Sequence, residues 1–151
     1  MNEQTTHSQI CQYLKAQYKS AIFNTDLSGI RLPMGLAVKA SKLRWSSGFP
    51  DIVIYEPRGG FYGLFIEVKK DGVKLIKKNG EWISPHVEKQ YDMMAQLRER
   101  GFKAMFARGF NDAKIIIDEY MNQWKSNSRN AKDLIKLSAD IVKEKIQQLH
   151  F

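Results

Sequence analysis

Residues 48–69 read GFPDIVIYEPRGGFYGLFIEVK. Two runs rich in β-branched and aromatic residues, Asp51–Tyr55 and Tyr62–Lys69, flank a Pro57-Arg58-Gly59-Gly60 turn, and the pattern predicts two paired strands. Each run carries an acid. Alternate residues of a strand share a face, so Glu67 and Lys69 are neighbours, about 6.5–7 Å apart. Val68 points the other way, into apolar packing, and its carbonyl sits between them. Whether Asp51 joins them depends on register. A two- or four-residue loop pairs Asp51 with Ile66 and sends the acids to opposite faces. A three-residue loop, Arg58-Gly59-Gly60, pairs Asp51 with Glu67, and glycine suits the bulged turn this requires.

Two carboxylates converging in a sheet repel each other, and without a partner one takes up a proton or the site is hydrated. A hard divalent cation resolves the conflict, because Mg²⁺ favours carboxylate and carbonyl oxygens and keeps several waters. A nearby lysine can orient or deprotonate a water, or stabilise developing negative charge. These parts suit metal-assisted phosphodiester hydrolysis. The bland alternative is a solvated strand end with a Glu–Lys pair.

Outward from this stretch, Thr5 or Thr6 can cap a first helix over about residues 6–20, with Ile10, Tyr13, Leu14 and Ala21 on its apolar face. Residues 24–50 read as a long irregular connection with a short strand or helical turn near Leu36–Leu43. This connection carries Arg31, Lys39, Lys42, Arg44 and Trp45, with Lys42 and Arg44 as candidate DNA contacts. A second hairpin is expected at Val73–Ile76 and Glu81–Ile83, turning at Asn79-Gly80. Ser84-Pro85 reads as an N-cap and first helical position, for a helix running to Arg100 and stopping at Gly101. A strand at Lys103–Ala107 and a helix at Ala113–Trp124 follow. Past a polar break at 125–130, residues 131–149 pattern as an amphipathic helix with Ile135, Val142, Ile146 and Leu149 on one stripe. It reads as a packed terminal helix, or as a dimer or DNA-contact element.

The 151 residues are 43% hydrophobic, which argues for a globular chain with one domain and an appended segment. Cys11 is the single cysteine, so no internal disulfide forms and a reducing cytosol is the simplest compartment. The polar start MNEQTTHSQ has no apolar signal core, and no run reaches the length of a membrane span. The net charge of +8 makes nucleic acid the commonest partner implied, with an anionic membrane surface the other. Lys70, Lys74, Lys77 and Lys78 cluster just beyond the Glu67-Val68-Lys69 stretch. They fit a DNA-facing rim, or equally the lysines that guard an edge strand. Trp82 beside them can stack on a base or pack.

Gly48-x-Pro50-Asp51, fifteen intervening residues, then Glu67-Val68-Lys69 resembles the PD-(D/E)xK nuclease motif. More closely it resembles the VRR-NUC family of phage and repair nucleases, whose helix after the catalytic strand opens with a glutamine and carries a later leucine and glycine. Gln90, Leu97 and Gly101 match that pattern, and the resemblance covers about residues 5–124. It implies an α/β, restriction-endonuclease-like mixed sheet flanked by helices, with 1–124 as the nuclease domain and 125–151 as polar break plus C-terminal helical extension. It implies Mg²⁺, with Mn²⁺ substituting, at Asp51, Glu67 and the Val68 carbonyl, and Lys69 acting on the water or the phosphate. Gln90 is independently odd, lying on the helix face of Met94 and Leu97 where an apolar residue is the default. A site residue near the metal water or a phosphate is the preferred reading, and a solvated boundary glutamine the other. Many members place a glutamate on the first helix. Here Gln9 stands in the matching stretch, which leaves one metal supported rather than two. His7 reads as an exposed cap-region residue, and His86 and His150 have no metal-ligand spacing to each other.

The resemblance further implies a Mg²⁺-dependent DNA endonuclease selective for branched DNA. Its setting is phage or prophage replication, repair or recombination, in the cytoplasm of a bacterial host. Junction resolution by a homodimer is one form of this, and no membrane is involved. The alternative is a non-catalytic nucleic-acid-binding protein on a degenerate nuclease fold.

Overall fold

The computed structural model describes residues 3–26, 33–43 and 48–125. Arg31, Arg44, Trp45 and the helix expected at 131–149 lie outside the described residues. In chain order the elements are α1 (Glu3–Gln17), β1 (Phe23–Thr25), α2 (Met34–Leu43), β2 (Ile52–Ile54), β3 (Leu64–Lys69), α3 (Pro85–Glu99), β4 (Lys103–Arg108) and α4 (Gly109–Met121). The four strands form one mixed sheet in the order β1-β2-β3-β4, antiparallel at the first two junctions and parallel at the last. The parallel step requires a crossover, and α3 supplies it.

Helices α1 and α4 cover one face of the sheet. Ile10 and Leu14 from α1 and Ile116, Ile117 and Tyr120 from α4 pack there on Ile52, Ile54, Leu64, Ile66 and Val68. Helix α3 covers the other, where Met93, Met94 and Leu97 meet Val53, Phe65 and Ala104. The central strands are therefore buried on both sides, which is why they read as nearly unbroken apolar runs rather than as an alternation. An acid within such a run has no solvated face to occupy.

The register between β2 and β3 pairs Ile52 with Ile66 and Ile54 with Leu64. One residue further, it sets Asp51 opposite Glu67, the pairing expected of a three-residue loop. The turn reaches it differently. Arg58 pairs with Phe61 around Gly59 and Gly60, whose φ values of 58° and 89° suit a type I′ turn. This turn sits one residue later than a two-residue loop at Arg58-Gly59, which would pair Asp51 with Ile66; carried straight down the hairpin, it would set Asp51 opposite Val68. Four residues separate Ile54 from Arg58 but only three separate Phe61 from Leu64, so the first arm absorbs one extra residue and restores the register. Tertiary contacts hold the offset: the Tyr120 hydroxyl donates to the Glu56 carbonyl at 2.7 Å, and the Gly59 amide donates to the Trp124 carbonyl at 3.0 Å.

Several boundaries differ from the sequence expectation. Helix α1 begins at Glu3 rather than near residue 6, so Thr6 faces the core at 2% exposure instead of capping, and Ala21 lies past the helix end. Edge strand β1 was not anticipated; three residues are too few to show a period. The region near Leu36–Leu43 is a full helix, α2, with no buried residue. The second hairpin contributes no strand to the sheet. It keeps a single Ile76–Trp82 bridge and closes through Lys77-Glu81 and Lys77-Gly80 hydrogen bonds around Lys78-Asn79-Gly80, a three-residue loop instead of two. Helix α3 follows expectation: Ser84 accepts from the Val87 amide at 3.3 Å, Pro85 is its first residue, and Gly101 takes a φ of 88° past its end. Helix α4 starts four residues earlier than Ala113 and stops at Met121, leaving Trp124 outside it.

Candidate active site

Glu67 and Lys69 emerge from β3 on the face covered by α3. Glu67 is buried and Lys69 mostly so, their side chains 4% and 11% exposed, and the Lys69 Nζ lies 2.9 Å from Glu67 Oε1. This is the expected Glu–Lys pair, but not a solvated one. Taking two charges from water costs several kcal/mol per ion, which the pair alone does not reliably recover. The site therefore carries a standing cost of a kind common where chemistry is done.

Gln90, 5% exposed, descends from α3 onto the same carboxylate, its Nε2 donating to Glu67 Oε1. Its own Oε1 is buried with no hydrogen-bond partner among the described residues. An acceptor stranded next to a carboxylate is out of place in a packed core and is suited to a water's proton.

Asp51 sits just before β2, where the chain turns in through Gly48. That glycine has a φ of 92°, and a side chain there would stand 3.4 Å from the Lys89 carbonyl oxygen. The close approach seats the segment before Asp51 against α3 beside Gln90. Asp51 Oδ2 accepts from the Val68 amide at 2.8 Å, so its carboxylate lies at the residue between Glu67 and Lys69. Burial pushes its carboxyl pKa up; the Val68 hydrogen bond and the charges of His7 and Lys69 oppose the rise, and Asp26 adds to it.

Asp26 is a site neighbour that the sequence reading missed. The β1–β2 register pairs Thr25 with Ile52, which puts Asp26 opposite Asp51, and its amide donates to the Asp51 carbonyl at 2.6 Å. Three acids, Asp26, Asp51 and Glu67, thus form one row across three strands. The acid in Asn24-Thr25-Asp26 was visible in the sequence, but its strand was not.

The fold is shared with known proteins. The family model of the VRR-NUC domain matches residues 34–111, 78 of the 151 residues. This chain belongs to the VRR-NUC domain family. Among solved structures, a VRR_NUC domain protein is similar with a TM-score of 0.62 at 22% identity, over 83% of this chain and 92% of that one. Another, a VRR_NUC domain, has a TM-score of 0.42 at 21% identity, over 76% of this chain and 97% of that one. No curated protein matches. Membership makes the chain part of a nuclease family, with DNA the substrate class this implies.

In this VRR-NUC domain the residues expected at the site gather unequally. Asp51, Glu67, Lys69, Gln90 and the Val68 backbone converge. On the first helix, His7 rather than Gln9 is the residue whose charge reaches Asp51. The two lie two positions apart, about 200° around an α-helix, so they cannot share a face. His7 is no exposed cap: it lies inside α1, and its Nε2, like Gln9 Oε1, is buried with no hydrogen-bond partner among the described residues. Lys70, Lys74, Lys77 and Lys78 are exposed beyond the site, with Lys77 paired to Glu81 at 3.1 Å. Lys42 is exposed in the last turn of α2. Trp82 packs against Tyr91 at 4.6 Å between ring centroids and against Phe106 at 6.5 Å.

Among the described residues no group of three or more His, Cys, Asp or Glu forms a metal cage. The hard oxygens gathered there are the Asp51 and Glu67 carboxylates, with Asp51 on the Val68 amide. Mg²⁺ takes such hard oxygens while keeping several waters, and it commonly uses only one or two carboxylates. The stranded Gln90 Oε1 fits an acceptor for one of those waters.

Proposed function

We propose that this chain hydrolyses DNA phosphodiesters with Mg²⁺, or Mn²⁺ in its place, held at Asp51, Glu67 and the Val68 carbonyl. The observation that carries the reading is the cross-strand row that sets Asp51 opposite Glu67, with Lys69 and Gln90 both on the Glu67 carboxylate. When bound, the cation supplies positive charge to the phosphate and acidifies water. Lys69 holds the attacking water or a phosphate oxygen, and Gln90 Oε1 accepts a hydrogen bond from a water and so orients it. The water oxygen bonds to phosphorus as one P–O ester bond breaks, and the leaving oxygen takes up a proton.

The proposal extends to branched DNA as the preferred substrate, in phage or prophage replication, repair or recombination. A homodimer would set two such sites at the fixed spacing that paired cuts require. Among the described residues α2 leaves Met34, Leu36, Val38 and Leu43 exposed, an apolar surface of the kind such a dimer would bury.

Supercoiled plasmid incubated with purified protein and Mg²⁺ should be nicked, and chelator should stop the nicking. Asp51→Asn and Glu67→Gln should abolish cleavage while each variant still shifts DNA on a gel. Undiminished cleavage by either variant would sink the metal assignment. Tight binding without cleavage by the wild type would leave the non-catalytic alternative.

A further inference from the structure

A cavity of about 260 Å³ opens beside the site, lined by Phe49, Met93, Gln96, Leu97 and Arg100. Its position follows from the fold. Phe49 is two residues before Asp51, on the segment that Gly48 seats against α3. Met93 is three residues past Gln90, about 4.5 Å along the helix axis. Met93 and Phe49 are thus the edge nearest the acid row, and Arg100, ten residues past Gln90 or about 15 Å along the helix axis, is the far edge.

Its walls are of two kinds. Met93 and Leu97 are buried and form an apolar floor. Phe49 is 42% exposed, yet its ring is held edge-on against Phe65 at 5.6 Å. Phe65 in turn meets Phe102 at 5.2 Å, so Phe49 is the open end of a packed aromatic row. The polar groups are the Gln96 amide and the Arg100 guanidinium, whose Nη1 is anchored on the Gln96 carbonyl at 2.8 Å. A fixed aromatic face, an apolar floor, one amide and one cation match a nucleobase with its phosphate. The volume falls below the roughly 300–1,000 Å³ of drug-sized sites, which suits a single base.

We infer that this cavity receives one unpaired nucleobase of the bound strand, a nucleotide or two away from the phosphodiester to be cut, with its ring on Phe49, its edge on Gln96 and its phosphate near Arg100. The inference rests on the nuclease reading above. A base stacked within a duplex cannot enter a cavity, whereas one at a fork, flap or junction can. The cavity thus gives a physical source for preferring branched DNA.

The test uses the full chain in EDTA, with hairpin oligonucleotides carrying 2-aminopurine either unpaired at a fork or paired within the stem. Wild-type protein should change the fluorescence of the unpaired probe and leave the paired probe nearly unchanged. It should also bind the forked oligonucleotide more tightly than a fully paired hairpin. Phe49→Ala should cut that affinity ratio roughly tenfold, the amount one base–aromatic stack supplies. Gln96→Ala, a partly exposed position where folding is not at stake, should also lower it. Equal wild-type affinities for the two oligonucleotides, or an unmoved ratio in both variants, would overturn the inference. Mg²⁺-dependent nicking that persists in that event leaves the nuclease reading standing; absence of both nicking and DNA binding would remove both.

Discussion

At the scale of single residues, the site is a set of charges that the fold holds against their preference. Asp51 is half-buried, faces Asp26 across one strand pair and lies opposite Glu67 across the next. Its raised pKa means that the folded chain binds the proton more tightly than the unfolded chain. Ionising Asp51 therefore costs folding free energy as pH rises through its unfolded value, and the full cost applies above the folded value. Asp51→Asn removes that charge and keeps an oxygen for the Val68 amide. Metal-free Asp51→Asn should melt higher than wild type at neutral pH, and the gap should close in acid; a lower melting temperature at pH 7 would contradict the account. Adding Mg²⁺ should then raise the wild-type melting temperature but not the variant's. Lys69 is bound to its carboxylate rather than spread on the surface. Lys69→Ala should slow single-turnover cleavage by roughly 10²–10⁴-fold, the usual worth of a positioned proton-transfer group, with much less effect on binding. A change confined to affinity would make it an ordinary phosphate contact.

At the scale of elements, α3 does most to assemble the site, and its two ends fix where Gln90 points. The Ser84 cap starts the helix and Gly101 stops it. Gly101 has a φ of 88°, and a side chain there would lie 2.7 Å from the Tyr62 ring. Tyr62 also donates its amide to the Gly101 carbonyl at 3.0 Å. Gly101→Ala should destabilise the protein by about 1–3 kcal/mol, combining left-handed backbone strain with a displaced ring. A urea titration should show a lower midpoint at an unchanged slope. The lysine-rich hairpin before α3 is the opposite case. It keeps a single bridge and a few turn hydrogen bonds and adds nothing to the sheet, so substitutions there should read out in DNA affinity rather than in stability.

At the scale of the whole molecule, a net charge of +8 favours any polyanion, and affinity should fall steeply with salt. Each lysine that neutralises a phosphate contributes about 0.9 to the slope of log affinity against log salt concentration. Lys74→Gln and Lys78→Gln should each flatten the slope by nearly that amount. Lys77→Gln should do less, because Glu81 already holds its ammonium group at 3.1 Å. Filter binding of a labelled duplex across a salt series measures all three. A slope that none of the variants moves would place the phosphate contacts elsewhere.

Much of the site could be read from spacing. Strand alternation put Glu67 and Lys69 on one face, and helical period exposed Gln90 as a polar residue on an apolar stripe, because both are local properties of a regular backbone. The Ser84-Pro85 start and the Gly101 stop of α3 were legible for the same reason: capping is settled within a few residues. The pairing of Asp51 with Glu67 was not settled locally. Three loop lengths and two registers fit the sequence, and the observed register depends on an extra residue in the first arm of the hairpin, held by Tyr120 and Trp124 some sixty residues away. Asp26 and His7 reached the site by the same route. Their strand and helix are ordinary by pattern, and only packing across the sheet brings them to Asp51. Sequence determined which side chains could do chemistry and which faces they occupy; tertiary structure decided which of them meet, because register and helix docking are fixed by long-range contacts that no short period records.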